Sequence, residues 1–286
     1  MRAFLLLALS FLSLAACTTT NHWPDTARMD DGSARRYEVH GEGEPTIVFI
    51  HGWACHRLYW NEQLERFQRV RHVVAIDLAG HGESEAGHSD FSIQSFGDDV
   101  VRVCDQQKLQ HVVLVGHSMG GLVALDAAKK LGSRVVAVVA VETLHDVSRP
   151  VPPDQAKAYV DLLRADFPKT VDEWVRKNYF PAGTDPELVD LVAKSMSGRP
   201  PEVEIPAMES MFAYDAGAAL AAIDVPVHCI NTDRPTNVAA GQARNPRFTA
   251  VAMPGVGHFP MLEQPEAFAR LLADFVRPLG EVAAGS

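Results

Sequence analysis

Cysteine is scarce in this 286-residue chain, which has four, and no Cys-x-x-Cys pair or His-rich spacing predicts a metal site. Clusters of basic residues are also missing. With 26 basic and 36 acidic residues the net charge is −10, which argues against nucleic acid as a partner. No internal repeat divides the sequence. The 47% of apolar residues are sufficient for one domain with a large core and an insertion.

The cysteines that follow residue 17 favour thiols over disulfides. Cys55, Cys104 and Cys229 are an odd number, so at most one bridge could join two of them. Each has apolar or helix-like surroundings, where a cysteine behaves as a small apolar side chain. We therefore expect three buried thiols.

The first 16 residues predict a signal peptide. Met1-Arg2 precedes an apolar run over residues 3–16, which is too short to span a membrane as a mature helix. Residues 14–17, Leu-Ala-Ala-Cys, resemble the bacterial lipobox, in which the cysteine becomes the lipid-bearing first residue. Thr18 after it implies the outer membrane by the same resemblance. We expect an envelope protein on the periplasmic side, anchored through Cys17; the alternative is an ordinary secretory signal with Cys17 incidental.

The remaining sequence predicts an α/β fold with a mostly parallel sheet. Residues 17–34 contain a polar tether and a first strand, and Asp30-Asp31-Gly32 indicates a hairpin. Apolar runs then alternate with helix-like segments, the pattern of strands covered on both faces. The runs are residues 46–50, 73–76, 112–115, 135–141, 225–230 and 248–253; the helix-like segments are 60–67, 93–109, 122–131 and 265–276.

A long helical interval interrupts this alternation. Residues 148–220 contain four helix-like stretches and no clear strand, and they lie between the fourth and fifth parallel strands. An insertion there predicts a lid over the carboxyl ends of the strands, dividing the core into residues 35–147 and 221–286. Several aromatic and methionine side chains of the lid could roof a pocket, although helix packing accounts for most of them.

The sequence around Ser118 predicts a nucleophile. An apolar run ends in Gly-His-Ser-Met-Gly, residues 116–120, and a helix-like pattern follows. Such a strand, sharp turn and helix expose the serine, and the glycines avoid clashes across the bend. The helix start would supply the Met119 amide to an oxyanion beside Ser118. A serine needs a base, and His258 follows the last apolar run in a glycine-rich loop.

A second oxyanion donor is expected after the strand that ends at Ile50. The sequence there is His51-Gly52-Trp53, at the same edge of the sheet, so the Trp53 amide would complete an oxyanion hole. We expect the side chains of Trp53 and His117 to contact the substrate.

Four motifs now carry a family resemblance: His51-Gly52-Trp53, residues 77–82 (Asp-Leu-Ala-Gly-His-Gly), residues 116–120, and Gly257-His258-Phe259. In this order and spacing the chain resembles an α/β-hydrolase of the lidded esterase, thioesterase and carbon–carbon bond hydrolase group, from about residue 35 to the end. The resemblance implies Ser-His chemistry. It does not specify the substrate.

The acid that orients the histidine departs from the family pattern. The family usually has Gly-x-x-Asp after the strand that here spans residues 225–230, but this chain has Asn-Thr-Asp-Arg-Pro-Thr-Asn at residues 231–237. Asp233 is the only carboxylate in that loop, about two residues early. Some relatives, notably haloalkane dehalogenases, take the acid from the end of the preceding strand, where this chain has Glu142 and, just beyond, Asp146. We narrowly favour Asp233 over Glu142.

Together these features predict a carboxylic ester hydrolase that cleaves a small to medium ester or thioester through an acyl-enzyme. No metal or organic cofactor is expected, and the oligomeric state is left open. Two alternatives remain: a cofactor-free carbon–carbon bond hydrolase with the same Ser-His pair, and a ligand-binding lipoprotein or receptor whose triad has degenerated. Ser118 argues against dehalogenase and epoxide hydrolase chemistry, whose relatives have an aspartate at that position.

Overall fold

Eight strands form one sheet in a computed structural model that describes residues 24–87 and 90–283. The spatial order is β1-β2-β4-β3-β5-β6-β7-β8, with β1 and β2 antiparallel to their neighbours and the other strands parallel. The strands are Asp25–Arg28, Ala34–His40, Thr46–Ile50, Val73–Ile76, Val112–His117, Val135–Val141, Val227–Asn231 and Phe248–Ala252, numbered β1 to β8 in chain order. The predicted signal peptide and Cys17 lie outside the described residues.

Eleven α-helices accompany the sheet in the described part of the chain. They are Asn61–Phe67, Ile93–Gln106, Met119–Leu131, Pro153–Ala165, Phe167–Trp174, Pro186–Ser197, Pro201–Ala213, Ala216–Ala221, Val238–Gln242, Pro260–Glu263 and Pro265–Ala283, numbered α1 to α11. A π-helical turn, Val175–Tyr179, continues α5. Short 3-10 turns occupy Arg57–Trp60 and Gly132–Arg134.

The continuous apolar runs form the buried middle of the sheet, as predicted. Strands β3, β4 and β5 are buried along their whole length. Such strands arise where helices cover both faces of a parallel sheet. The predicted hairpin before them is confirmed as β1 and β2. The mostly parallel α/β sheet expected from the sequence is therefore confirmed.

Helices α2 and α3 each differ from the sequence expectation at one boundary for backbone reasons, and α11 continues to Ala283, past the expected end at residue 276. Helix α2 ends at Gln106 because Lys108 adopts a left-handed φ of 54°, which stops the helical hydrogen-bond pattern. Helix α3 begins at Met119, three residues earlier than expected, because the chain turns from strand to helix at a single residue, Ser118.

The registers of the parallel strands bring their carboxyl ends to one edge. Ile50 of β3 pairs with Ile76 of β4 and Gly116 of β5, and His117 of β5 pairs with Val141 of β6. Val141 in turn pairs with Ile230 of β7. The loops after these strands therefore start beside one another, which is where ligands bind in open α/β sheets.

Helices α4 to α8 lie between β6 and β7, and residues 148–220 are named the helical insert here. No strand occurs in it, as expected. Proline stands in the first turn of α4 to α7, and the Asp166 and Asp185 side chains accept amides at the starts of α5 and α6. Helix α7 packs on α4 and also reaches α2 of the core. The precise domain boundaries stay a prediction.

The structure also shows the state of the cysteines and the character of the helices. Cys55, Cys104 and Cys229 are buried free thiols, which confirms the expectation from the sequence. Within residues 24–87 and 90–283, none of the helices combines the length and apolar character needed to cross a bilayer.

Candidate active site

Ser118 occupies a strained turn between β5 and α3. Its φ is 52° and its ψ is −116°, a left-handed conformation that is costly for any residue with a Cβ atom. The Ser118 amide donates to the Val141 carbonyl oxygen at 2.8 Å, which ties the turn to the end of β6. A Cβ at Gly116 would lie 2.1 Å from the Gly120 carbonyl oxygen, so only glycine permits this bend.

Two backbone amides beside this turn have no acceptor among the described residues. Met119 N is in the first turn of α3, where an amide has no partner within the helix, and it donates to no other group described. Trp53 N, three residues beyond the end of the neighbouring strand β3, also donates to none. Because Ile50 pairs with Gly116, these amides belong to the same edge of the sheet. They have the character of an oxyanion hole.

The direction of the Trp53 amide is set by His51. Leu78 N donates to His51 Nε2 at 3.1 Å, so His51 Nδ1 carries the proton and donates to the Gly52 carbonyl oxygen at 2.8 Å. Burial, together with the charge of His81, holds the pKa of His51 well below its usual value, in agreement with a neutral ring. Since the carbonyl and amide of a trans peptide point in opposite directions, the Trp53 N–H points away from His51.

His258 lies in the loop between β8 and α10, and its backbone is bonded on both sides. Its amide donates to the Tyr179 carbonyl oxygen at 2.6 Å, and its own carbonyl oxygen lies 2.7 Å from His117 Nε2. The Glu263 carboxylate accepts from the amides on either side of it, Gly257 N at 2.9 Å and Phe259 N at 3.2 Å. The imidazole is thus held by a fixed main chain.

Glu142 supplies the carboxylate that meets the His258 ring. His258 Nδ1 lies 3.4 Å from Glu142 Oε2, and the Thr232 amide donates to Glu142 Oε1 at 2.6 Å. Glu142 is 9% exposed and has a φ of 52°. Burial opposes its ionisation, but the hydrogen bonds from His258 and Thr232 outweigh burial and lower the pKa of the Glu142 carboxyl.

Ser118 and His258 are neighbours through shared contacts and not through a direct hydrogen bond. The Val141 carbonyl that holds Ser118 immediately precedes Glu142, and His117 beside Ser118 bonds the His258 carbonyl. Among the described residues, His258 Nε2 forms no hydrogen bond, including with Ser118 Oγ. Catalytic hydrogen bonds of this kind commonly tighten only in the complex with substrate.

The preference for Asp233 as the orienting acid is corrected by this geometry. Asp233 is exposed, and its carboxylate accepts from the Gly255 amide at 3.3 Å. This bond joins the loop after β7 to the loop after β8, 22 residues further along the chain, and it does not involve the His258 ring. The alternative acid, Glu142, makes the contact with His258. Asp146 instead bonds Ser148 and Asn237, so it too is turned away from the ring.

The expected substrate contacts of Trp53 and His117 stay a prediction, and the structure places both rings in the interior of the site. The His117 ring is 1% exposed, and burial followed by the charge of His258 lowers the pKa of His117 to about 3, so it supports His258 as a neutral group. The Trp53 side chain is 4% exposed, and its Nε1 donates to the Glu204 carbonyl oxygen at 2.8 Å. Both rings are structural parts of the site rather than its surface.

A cavity of about 590 Å³ opens beside Glu142 and His258. Thr232 and Arg234 line one part of it. The helical insert supplies the apolar wall with six of its ten aromatic and methionine residues, more than the minority expected from the sequence: Tyr159, Trp174, Tyr179, Met208, Met211 and Phe212. Among the described residues, no cluster of three or more His, Cys, Asp or Glu side chains is arranged to hold a metal ion.

Three supporting side chains were missed at the level of sequence. The sequence analysis assigns no role to Glu263. A carboxylate in the first turn of the helix that follows the His258 loop is a signal for a side chain that accepts backbone amides. His51 was named only as part of the motif that carries the Trp53 amide, without a role for its own side chain. Glu204 lies 150 residues from the backbone it bonds, and no sequence pattern connects the two.

Comparison with known proteins now identifies the family. A sequence profile of the alpha/beta hydrolase family matches residues 47–271, well over half of the chain. The chain is an α/β-hydrolase. Solved structures agree with this fold: a thermophilic esterase from Thermogutta terrifontis superposes with a TM-score of 0.78 at 24% identity, covering 91% of this chain and 100% of that one.

Named relatives of this hydrolase are esterases and hydrolases. A pimeloyl-[acyl-carrier protein] methyl ester esterase from Yersinia enterocolitica is 28% identical over 84% of this chain and 96% of its own length. A solved structure described as an N-acyl homoserine lactone degrading enzyme is 27% identical, with a TM-score of 0.76 over 88% of this chain and 100% of that one. These relatives support ester hydrolysis and small-molecule substrates.

Proposed function

We propose that this hydrolase cleaves carboxylic esters or thioesters of small to medium size through an acyl-enzyme formed on Ser118. The observation that carries the proposal is the bond between His258 and the buried Glu142, next to a serine in a strained turn. Glu142 orients the imidazole with Nδ1 protonated, which leaves Nε2 as the base. The triad would therefore be Ser118, His258 and Glu142.

The steps follow from the roles of these groups. His258 Nε2 removes the proton of Ser118, and Ser118 Oγ attacks the carbonyl carbon to give a tetrahedral intermediate. The Trp53 and Met119 amides donate to the oxyanion. His258 then protonates the leaving alcohol or thiol, and the same base activates a water molecule that hydrolyses the acyl-enzyme and frees Ser118.

Two features of the cavity bear on the substrate. Its volume of about 590 Å³ suits a small to medium acyl or alcohol group. The insert covers one side with aromatic and methionine side chains, so it would act as a lid that favours an apolar portion of the substrate. Arg234 is the cation that lines the cavity, which favours a substrate that also carries a negative charge.

The experiment that tests the proposal is hydrolysis of p-nitrophenyl esters from acetate to octanoate by the full chain and by Ser118→Ala. We expect activity in the full chain and a loss of roughly 10⁴-fold or more in the variant, because the remaining groups cannot form the acyl-enzyme. A fluorophosphonate probe should label the full chain at Ser118 and leave the variant unlabelled. No hydrolysis and no labelling would refute the proposal and favour a binding protein.

The binding-protein alternative rested on a missing acid, and Glu142 removes that reason. A carbon–carbon bond hydrolase would use the same Ser-His pair, and the ester series distinguishes it because such an enzyme would turn over simple esters poorly.

We also propose a lipid anchor on Cys17, which would hold the hydrolase at the outer membrane on its periplasmic side. Cys17→Ser should move the protein from the membrane fraction to the soluble fraction, with kcat unchanged. Membrane retention of that variant would refute the anchor.

A further inference from the structure

A buried carboxylate of the helical insert is bonded to the segment that carries the Trp53 amide. Glu204 belongs to α7, and its side chain is 0% exposed. Its Oε2 accepts from the Ala54 amide at 3.1 Å, and its backbone carbonyl oxygen accepts from Trp53 Nε1 at 2.8 Å. One insert residue therefore holds both Trp53 and Ala54.

Glu204 and His81 form a buried pair that shares one proton more than a carboxylate and a neutral imidazole would carry. His81 Nε2 lies 3.2 Å from the Glu204 carboxylate, and His81 Nδ1 lies 2.9 Å from the Ala79 carbonyl oxygen. Both neighbours are acceptors, so the pair must supply a proton on each side of the ring. Burial opposes a charged ring, but the Glu204 carboxylate outweighs it and raises the pKa of His81.

Packing alone does not account for a glutamate at this position. A buried carboxylate costs several kcal/mol of desolvation, and apolar residues of similar size commonly stabilise a helix contact equally well or better. The carboxylate does what an apolar residue cannot: it accepts a backbone amide. A second cation accompanies His81 at this carboxylate. Arg199 Nε lies 3.6 Å from Glu204 Oε1, and Arg199 Nη2 donates to the Gly80 carbonyl oxygen at 2.6 Å.

We propose that Glu204 is a positioning residue that fixes the Trp53 amide in the oxyanion hole. The peptide before Trp53 N is held by His51 through the Gly52 carbonyl, and the peptide after it is held by Glu204 through the Ala54 amide. Because peptide groups are planar, these two bonds and the indole bond set the direction of the N–H between them. The inference rests on the proposed function, since it assigns Glu204 to the same Ser118 chemistry.

This assignment gives the insert a part in the rate of the reaction as well as in substrate selection. An amide that is already aligned needs no reorganisation when the oxyanion forms, and that is the source of its effect. If the insert carboxylate is removed, the substrate should still bind, but the transition state should lose part of its stabilisation. The expected signature is a change in kcat at nearly constant KM.

The test compares Glu204→Ala with Glu204→Gln in the full chain. We expect Glu204→Ala to lower kcat roughly 10- to 100-fold, the scale of a misplaced catalytic donor, with KM within about threefold. An alkylboronic acid, whose tetrahedral adduct with Ser118 places an oxygen in the oxyanion hole, should lose affinity by the same factor. Glu204→Gln should recover kcat to within about fivefold, because its carbonyl accepts Ala54 N and its amide donates to a neutral His81.

Glu209→Gln is the matched control. Glu209 lies on the same helix, exposed and paired with Arg164 at 2.5 Å, so its variant should keep the kcat of the parent. A purely structural role of Glu204 would lower the melting temperature of Glu204→Ala and leave kcat per folded molecule within twofold, and that result would overturn the inference.

Trp53→Phe keeps the inference testable if Glu204→Ala does not fold. It removes the indole donor to the Glu204 carbonyl and part of the buried ring while it keeps an aromatic side chain, so kcat should fall about three- to tenfold, the worth of one hydrogen bond, with KM within about threefold. An unchanged kcat would overturn the inference. If the parent chain itself does not hydrolyse esters, the proposed function fails; if the parent is active and these variants match it, the positioning role alone fails.

Discussion

The loops after β6 and β7 begin side by side, yet their carboxylates have opposite environments. Val141 and Ile230 pair in register, and Glu142 and Asp233 follow within three residues. Glu142 is buried between the His258 ring and the Thr232 amide, whereas Asp233 is exposed and bonds only the Gly255 amide among the groups described. Proximity to the sheet edge does not therefore decide which carboxylate serves the histidine.

The backbone conformation of Glu142 and an amide from the β7 loop distinguish the two carboxylates. Glu142 has a left-handed φ of 52°, uncommon for glutamate, and such conformations persist where surrounding contacts compensate their cost. The Thr232 amide bonds the same carboxylate, so the β7 loop contributes a donor to the acid of the β6 loop. The two loops thus share one acid, with the carboxylate on one and its amide partner on the other.

The largest effect on kcat is expected for Glu142→Gln, and it tests whether Glu142 and Asp233 differ in role. We expect kcat to fall by roughly 10³- to 10⁴-fold with a small change in KM, because glutamine neither holds the productive tautomer of His258 nor stabilises its imidazolium. Steady-state kinetics with a p-nitrophenyl ester measure this. A loss of kcat below tenfold would mean that another carboxylate orients His258.

The pH dependence of stability should separate the same two residues. The lowered pKa of Glu142 means that its contribution to folding is fully present above the usual glutamate pKa and is lost as the pH falls through the lowered folded value. Melting temperatures measured from pH 6 to pH 3 should therefore fall less steeply for Glu142→Gln than for the parent. Asp233→Asn is the control. Parallel curves for Glu142→Gln and the parent would contradict the assigned shift.

Arg234 tests whether the β7 loop serves substrate choice instead of acid catalysis. It lines the cavity and has no ion-pair partner among the described residues. We expect Arg234→Gln to lower kcat/KM about fivefold for mono-p-nitrophenyl glutarate, the range of an exposed ion pair, and to leave p-nitrophenyl butyrate within twofold. Arg164→Gln, on an exposed pair of the insert, is the control. Equal effects on both esters would exclude charge recognition.

The smallest effect is expected for Asp233→Asn. Asparagine can still accept from the Gly255 amide, so kcat should stay within twofold and the melting temperature should barely change. A tenfold loss of kcat in this variant would reverse the comparison between the two loops.

The fold and the strained turn at Ser118 were predictable because their signals are local. Uninterrupted apolar runs specify buried strands, and glycines on both sides of Ser118 specify a turn that no larger residue permits. His258 was predictable for a related reason: a glycine-rich loop after the last strand leads to the same edge of the sheet.

Which carboxylate contacts His258 was not predictable because it depends on contacts between distant segments. Burial of Glu142 requires the β7 loop to supply the Thr232 amide, and neither loop carries a pattern for the other. The same holds for Glu204, which meets the Ala54 amide across 150 positions. The Trp53 and His117 side chains were placed at the surface of the site because sequence shows adjacency to a motif but not the direction of a ring.

The left-handed turn at Ser118 lowers the thermal stability of the protein, although the proposed reaction requires the serine there. Such a conformation costs about 1–3 kcal/mol for a residue with a side chain, and glycine adopts it freely. Ser118→Gly should therefore melt a few degrees above the parent, since about 1 kcal/mol corresponds to roughly 2–4 °C in a domain of this size, and calorimetry can measure the shift. A lower melting temperature would mean that the hydroxyl has stabilising partners. Selection of this chain for heat tolerance alone would accordingly enrich proteins that have lost Ser118, the proposed nucleophile, so directed evolution here must screen for turnover at every round.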